Sequence, residues 1–437
     1  MTRLRNNARG SALLAALCFT AVLAMAVTSY MAMCYRSLVT STRSLQFERS
    51  GLLAEIGMEQ ALWALNKNDF SAWTVDGDAY TRTTTGFTYE NGIVAQVAVR
   101  VTRETASWSQ PGARTVTVTG TTTLADGTPI ERSYETTVEP LPMFVNALAG
   151  ASQSDAATAQ VRFYSGTGAT VDSYYSSVST SPATFEFGAV VAGNDRVTMQ
   201  SARIRGYVAI DSAAPALTDA TVDAELKGPA TPVATKIDSS RLNGAVNQPF
   251  YSVNVPTGAG TTISAGTQTL GTVGATEPTL YYADEIQMGS GTITVVGPVK
   301  LVVSGTFYLW GTARLTVAST GSLELFAGGA VYSTSSGGFR NQTLLPSKLA
   351  IYGYRSSWNV GYINQPTSAP FYGVVYLPEV ILDLYGTGDY YGSFIARRIN
   401  VRNGSKIHYD TSLRTTYFDG LASPYGVTER QDTTGTH

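Results

Sequence analysis

Residues 11–34 read SALLAALCFTAVLAMAVTSYMAMC and contain no charged side chain. About 24 residues at a rise of 1.5 Å form a helix of about 36 Å, which is long enough to span a hydrocarbon core of roughly 30 Å. Arg3, Arg5 and Arg9 precede this segment, whereas only Arg36 follows it closely, and this asymmetry favours a cytoplasmic N-terminus. The sequence therefore predicts a single-pass inner-membrane protein whose remaining residues are exported to the periplasm and cell surface.

Two other processing routes are compatible with parts of this segment. Ala24-Met25-Ala26 has the small-x-small form of a signal-peptidase site, but no glycine or proline interrupts the apolar residues there. A lipoprotein site at Cys34 would need a small residue where Met33 stands. These observations favour a membrane anchor that is retained.

The helical pattern continues beyond the apolar segment. Residues 36–66 contain no proline, and apolar side chains recur at a helical period, namely at Leu38, Leu45, Leu52 and Ile56, with Leu53, Leu62 and Leu65 near the same stripe. A continuous helix over residues 11–66 would be about 84 Å long. We expect its first half to contact lipid or other helices, and the apolar stripe of its second half to pack on a globular domain.

The N-terminal segment resembles that of PilX-type minor pilins, which belong to type IV pilus or type II secretion machinery. The resemblance rests on the Arg9-Gly10-Ser11 junction, the apolar helix and the sequence FERSGLLAE at residues 47–55. It implies that a prepilin peptidase cuts between Gly10 and Ser11, and that other pilins bind the helix in a fibre. The fifth mature residue would be Ala15, where major pilins commonly have a glutamate, and this difference favours a tip or initiating subunit over the bulk subunit.

Composition narrows the class of protein. A net charge of −2, with 14% charged residues, gives no electrostatic basis for binding nucleic acid. The 42 glycines and 25 tyrosines are typical of an extracellular β-rich protein. Cys18 and Cys34 lie about 24 Å apart along one helix, so they are not expected to form a disulfide.

The fold class that we predict is mainly β with one long N-terminal helix. Residues 67–140 contain four strand-like segments and a hairpin turn at Ala-Asp-Gly 125–127, which predict a small antiparallel head domain covering the helix. The sequence Asp-Gly-Asp at residues 76–78 is interpreted as a turn, since the later ligands of a calcium loop are missing.

Two prolines within residues 139–142 mark a domain boundary. Short apolar β runs separated by Gly, Asn, Asp or Ser then fill residues 141–421, which favours a right-handed β-helix-like solenoid over a β-sandwich. Residues 215–276 are predicted to be a weakly patterned insertion, and residues 422–437 a flexible tail.

The C-terminal block also resembles a known domain. The sequences FYGVVYLP (371–378), GTGDYYGS (386–393) and IHYD (407–410) are similar to a β-solenoid domain of uncharacterised function that often accompanies PilX-type N-termini. This resemblance implies a stack of parallel strands.

Residues with acid–base chemistry cluster near the C-terminus, at Asp383, Asp389, Lys406, His408 and Asp410. Paired carboxylates beside a base are used in glycan cleavage. Their positions in turns and within an apolar strand favour structural roles instead. We therefore predict no catalytic residue, no enzyme activity, no cofactor and, with only two histidines, no metal site.

A binding site is the other hypothesis for the C-terminal part. Aromatic side chains concentrate at residues 352–372, and Tyr354, Trp358 and Tyr362 are the expected contacts for a glycan or another surface ligand. The alternative is that these rings fill the solenoid. Together the sequence predicts a minor pilin in pilus assembly or adhesion, with a type II secretion pseudopilin or an anchored carbohydrate-binding or carbohydrate-active β-helix protein as alternatives.

Overall fold

A computed structural model of the chain confirms a mainly β protein with one long N-terminal helix. The described residues divide into two compact units, of which unit 1 lies within residues 5–102, 113–139 and 425–433 and unit 2 within residues 140–424. Side chains are described from residue 12 onward, except at residues 360, 428 and 429. The structure describes residues 5–67, 69–89, 93–102, 113–124, 126–151, 160–164, 168–180, 184–211, 217, 224–244, 251–334, 337–355, 360–364, 369–421 and 424–433.

Among the described residues, unit 1 has one helix and a sheet in the order β1-β2-β3-β4-β5-β30, in which β1 to β5 pair antiparallel, and unit 2 has parallel strands and three short 3₁₀ turns. In chain order they are α1 (Arg5–Lys67), β1 (Thr74–Asp76), β2 (Ala79–Thr88), β3 (Val94–Thr102), β4 (Arg114–Thr123), β5 (Pro129–Pro140), β6 (Leu148–Gly150), β7 (Gln160–Phe163), β8 (Thr170–Tyr174), β9 (Ala189–Gly193), β10 (Arg196–Met199), β11 (Arg203–Ile210), β12 (Glu225–Lys227), a 3₁₀ turn (Ser239–Arg241), β13 (Leu242–Gly244), β14 (Thr261–Thr262), β15 (Gln268–Leu270), β16 (Thr279–Ala283), β17 (Ile286–Met288), β18 (Thr292–Val295), β19 (Pro298–Val303), β20 (Phe307–Leu309), β21 (Arg314–Val317), β22 (Ser322–Ala327), β23 (Val331–Ser333), β24 (Gly338–Asn341), a 3₁₀ turn (Pro346–Lys348), β25 (Leu349–Gly353), β26 (Val360–Asn364), β27 (Phe371–Tyr385), β28 (Asp389–Val401), β29 (Lys406–Asp410), a 3₁₀ turn (Thr411–Thr415) and β30 (Tyr425–Asp432).

The second half of α1 packs on the sheet of unit 1 with its small side chains. Ala54, Ala61 and Ala64 are fully buried against the valines of β3 and β4. A Cβ atom at Gly57 would overlap the methyl groups of Val118 and Val97, so glycine is needed for this close approach. Small residues therefore bring the helix backbone close to the strands.

This packing corrects part of the expected helix orientation. Leu38, Leu45, Leu52 and Ile56 form a stripe that we call the exposed stripe, because each of them stays open to solvent rather than covering the sheet. The sheet instead contacts the face that contains Gly57, since large side chains would hold the helix too far from the strands. The prediction that the stripe packs on the domain was wrong for these four residues, whereas Leu53 and Leu65 are buried and Leu62 packs against the core of unit 1.

The C-terminal segment also differs from the expected flexible tail. Residues of β30 form the edge of the unit 1 sheet beside β5. The backbone N–H of Tyr425 donates to Asn66 Oδ1 at 2.6 Å, and the guanidinium of Arg430 lies 3.9 Å from the centre of the Tyr134 ring. These contacts hold the polar segment in the sheet of unit 1. Hydrophobic patterning alone does not predict this strand.

Unit 2 is built from columns of parallel strands. Column A has the order β13-β11-β9-β6-β28-β27-β25-β22-β19-β16-β14, and column B has the order β10-β7-β28-β27-β26-β23-β20-β17. A third set of strands comprises β15-β18-β21-β24 and β28-β29-β8-β11-β12. Alternate residues of each strand point inward, and an apolar core fills the space between the columns.

The order of strands in the columns differs from their order in the chain. The last strands, β28 and β29, pair with the first strands of unit 2, β6, β7 and β8. At this seam the Ser393 hydroxyl donates to the Asn146 carbonyl, across 247 residues of sequence. The chain therefore enters the stack near its middle and builds to one end at β13. It then restarts at the opposite end with β14.

A returning segment, residues 251–260, lies along the outside of column A between β27 and β16. The Tyr376 hydroxyl in β27 contacts both backbone groups of Tyr251, accepting from its N–H at 2.9 Å and donating to its C=O at 2.8 Å. Farther along, the Tyr282 hydroxyl in β16 donates to the Gly258 carbonyl at 3.2 Å. Part of the segment expected to be an unpatterned insertion thus covers the outer tyrosines of column A.

Candidate functional sites

The first half of α1 is a candidate membrane segment. The helix over Ala12–Lys67 is long and apolar enough to cross a bilayer, and its most apolar window has no residue buried within the protein. Large side chains such as Leu13, Phe19 and Met33 are exposed. The backbone is helical through Gly10 and Ser11, but the side chains at this predicted processing site lie outside the described part of the chain.

A buried cluster around His408 is the candidate site with acid–base chemistry. The parallel register places His408 of β29 beside Asp172 of β8 and Tyr391 of β28. His408 Nδ1 lies 2.6 Å from Asp172 Oδ1, and Nε2 lies 3.7 Å from Asp389 Oδ1. The Phe185 ring stacks on the imidazole at 4.1 Å between centres, so the histidine is closed off from solvent.

The electrostatics of this cluster favour a protonated imidazole. Burial lowers the pKa of His408, but the hydrogen bonds and charges of Asp172 and Asp389 outweigh burial and raise that pKa above its ordinary value. The pKa of the Asp389 carboxyl is lowered, first by the neighbouring His408 imidazole and also by Lys406, whose Nζ lies 3.4 Å from Oδ1. The His408–Asp172 pair is therefore a charged contact between β29 and β8.

The other two predicted acid–base residues lie elsewhere and have their own partners. Asp383 in column B accepts a hydrogen bond from Asn400 Nδ2 at 2.5 Å and pairs with Arg402 at 3.6 Å. Asp410 caps the 3₁₀ turn that follows β29, accepting from the backbone N–H of Ser412 at 3.1 Å. The structure therefore joins Asp389, Lys406 and His408 but not Asp383 or Asp410.

Two members of the His408 cluster, Asp172 and Phe185, were not identified from the sequence. They lie more than two hundred residues before His408 in the chain, and only the strand order at the seam brings them together. Among the described residues, no group of three or more His, Cys, Asp or Glu side chains is arranged to hold a metal ion.

The predicted ligand-binding aromatics are placed differently from one another. Tyr354 follows β25 at a corner, half-buried, with the Arg355 guanidinium 5.4 Å from its ring centre. Tyr362 points outward from column B and lies 5.6 Å from the Tyr385 ring. Trp358 lies outside the described residues.

Tyr362 belongs to a longer row of outward rings that the sequence did not reveal. The strand register places Tyr332 beside Tyr362, and Tyr308 beside Tyr332. The Tyr308 ring is 5.7 Å from the Tyr332 ring and 4.9 Å from the Trp310 ring, which is 39% exposed. These rings come from separate strands, so their spacing in sequence gives no period to detect.

Comparisons with known proteins cover part of this architecture. Residues 218–416 match the model of a domain of unknown function (DUF7305). A comparison with curated proteins gives no match. Among solved structures, the chain is similar to the competence-associated pilin ComZ from Thermus thermophilus at 11% identity, over 89% of this chain and 98% of that chain, with a TM-score of 0.27. A TM-score at this level does not establish a shared fold.

Proposed function

We propose that this protein is a pilin-like component of the cell envelope, a minor pilin that acts in type IV pilus assembly or surface adhesion. The observation that carries the proposal is the division of α1 into two parts. Its first half is apolar and exposed, whereas its second half packs on an antiparallel sheet through small side chains. Such a helix needs lipid or sister helices around its exposed half, because that apolar surface is costly in water.

The proposal assigns each half of the helix a stage in the life of the protein. A prepilin peptidase cuts between Gly10 and Ser11 while the helix lies in the inner membrane with its N-terminus in the cytoplasm. The helix then leaves the lipid and packs on the helices of other pilins. The exposed stripe (Leu38, Leu45, Leu52 and Ile56) extends the apolar surface beyond the bilayer, where sister subunits would cover it.

We further propose that unit 2 is a right-handed β-helix-like solenoid that serves in adhesion. Parallel columns of short strands around one apolar core support this interpretation. Crossover connections between parallel strands are nearly always right-handed. The protein is proposed not to be an enzyme, since the imidazole of its best acid–base cluster is covered by Phe185.

A deletion strain tests this function. Loss of surface pili or of adhesion, restored by the wild-type chain, is the expected result. Intact pili together with a loss of secreted enzymes would instead identify a type II secretion pseudopilin. Release of sugars from glycans by the purified full-length protein would favour the anchored carbohydrate-active alternative.

A further inference from the structure

Along the stack, the outward face of column B carries first aromatic side chains and then arginines. One end is aromatic, and we call it the aromatic end: Tyr308, Trp310, Tyr332, Tyr362 and Tyr385. The rings follow one another from strand to strand, at about 4.8 Å per strand. All five are open to solvent to some degree, whereas the large apolar residues next to them in the chain are buried in the core: Phe307, Leu309, Val331, Ile363 and Leu384.

The same face continues into arginines on the next strands. Arg398 and Arg402 lie on and just after β28, and Arg162 lies on β7 in register with Asn400. We call these three the arginine end. The guanidinium groups of Arg402 and Arg162 lie 4.1 Å and 5.6 Å from the centre of the Tyr164 ring, which holds them at the surface.

Only part of this positive charge is neutralised within the described residues. Asp383 pairs with Arg402. The structure gives Arg162 its ring contact and no ion pair, and Arg398 has a buried Nε atom without a hydrogen-bond partner. The arginine end thus offers guanidinium groups for an anionic ligand, and it lies on the same line along the face as the aromatic end.

We propose that this face binds an acidic polysaccharide strand that lies across the strands of column B. From β20 to β7 the face covers six strands, or about 24 Å, which suits an extended polymer rather than a compact molecule. Sugar rings would stack on the tyrosines, and uronate carboxylates would pair with the arginines. The inference deepens the adhesion part of the proposed function, on which it rests, by naming the ligand class.

The polar groups between the two ends favour a glycan over a single-stranded nucleic acid. Asp383 presents a carboxylate in the middle of the face, and the buried amide of Asn400 donates a hydrogen bond to it. Sugar hydroxyls both donate and accept hydrogen bonds and can donate to this carboxylate. A phosphate backbone only accepts hydrogen bonds and has no hydroxyl group to donate to Asp383.

Binding measurements on the full-length protein in detergent micelles test the proposal. Oligogalacturonate is the acidic probe, and its methyl ester is the matched neutral probe with the same sugar backbone. We expect the acid to bind and the ester to bind at least about tenfold more weakly. Added salt should weaken binding of the acid, because part of the attraction is electrostatic.

Variants locate the site. Arg162→Gln and Arg398→Gln should each weaken binding of the acid by about tenfold, and Tyr332→Leu should weaken binding of both probes. Arg205→Gln is the matched control, since this arginine lies on β11 beside Phe187 and away from the face; its binding should equal that of the wild type.

Three results would overturn the inference: no binding of the acid, equal binding of acid and ester, or unchanged binding by both arginine variants. Oligo(dT) that binds as tightly as the acid, and is lost in the same variants, would assign the face to nucleic acid instead. None of these measurements requires a fibre. A failure here is therefore distinguishable from failure of the minor-pilin proposal, which is read from pili on cells.

Discussion

The imidazole of His408 lies 2.6 Å from the carboxylate of Asp172, although the two residues are 236 positions apart in the sequence. The contact joins β29, near the end of unit 2, to β8, near its beginning. It is a charged bond across the seam where the two parts of the stack meet, with Asp389, Lys406 and Tyr391 as the other titratable groups around the ring.

This contact predicts a dependence of stability on pH. The pKa of His408 is raised in the folded state, so its contribution is fully present below about pH 6.5, the ordinary histidine value, and is lost as pH rises through the folded pKa. The stability advantage of the wild type over His408→Gln should therefore shrink as pH rises from about 6 to 9. Thermal unfolding of both proteins across this range measures it.

The contribution of Asp389 to stability has the opposite pH dependence, and it changes in a separate pH range. Its pKa is lowered, so its contribution is present above about pH 3.9 and is lost only in stronger acid. The contribution of Asp389 to stability does not change between pH 6 and 9. A difference in melting temperature between wild type and His408→Gln that stays constant from pH 6 to 9 would show that the seam carries no charged bond.

Two glycines in α1 should respond in opposite ways to the same substitution. Gly57→Ala places a methyl group against Val118 and Val97 and should destabilise unit 1 by about 1–3 kcal/mol. Gly51→Ala meets the flexible Arg132 side chain, nearest at 2.9 Å, and touches the Tyr134 hydroxyl at an ordinary 3.5 Å, and should stabilise the helix by about 0.5–1 kcal/mol. Urea denaturation measures both, and equal effects would argue against the close packing described here.

The packing of the returning segment on column A should depend on the Tyr376 hydroxyl. Tyr376→Phe removes the partner of both backbone groups of Tyr251, in a buried position, and should cost about 1–3 kcal/mol. Tyr282→Phe is the control, because its hydroxyl bonds Gly258 near the surface and its loss should cost about 0.5 kcal/mol or less. Limited proteolysis within residues 251–260 provides the readout; equal cleavage in the two variants would contradict this role.

The exposed stripe should matter for assembly and not for folding. Leu52 and Ile56 are open to solvent, so Leu52→Asn with Ile56→Asn should leave the melting temperature nearly unchanged. The same double variant should reduce the amount of protein in sheared surface fibres, since it puts polar groups into the proposed contact between subunits. Leu53→Asn, at a fully buried position, should instead unfold unit 1. Normal fibre content of the double variant would remove the stripe from the interface.

The sequence predicted the features that depend on local pattern. The charge-free segment before Arg36 predicted the apolar helix, and the turn near Asp126 with its flanking alternation predicted a hairpin. The side of the helix that packs was predicted only in part, through Leu53, Leu62 and Leu65, because Gly57 and its neighbouring alanines carry little hydrophobic signal. Asp172 and the row containing Tyr332 were missed, because strand order in the stack, and not distance along the chain, makes them neighbours.

The most direct test of the account is mass spectrometry of the N-terminus of this protein in fibres sheared from cells. We expect the protein to be present there, with a first peptide that begins at Ser11 and with the apolar half of α1 intact. Recovery of the protein only in the soluble fraction, in a form that lacks this apolar segment, would contradict it.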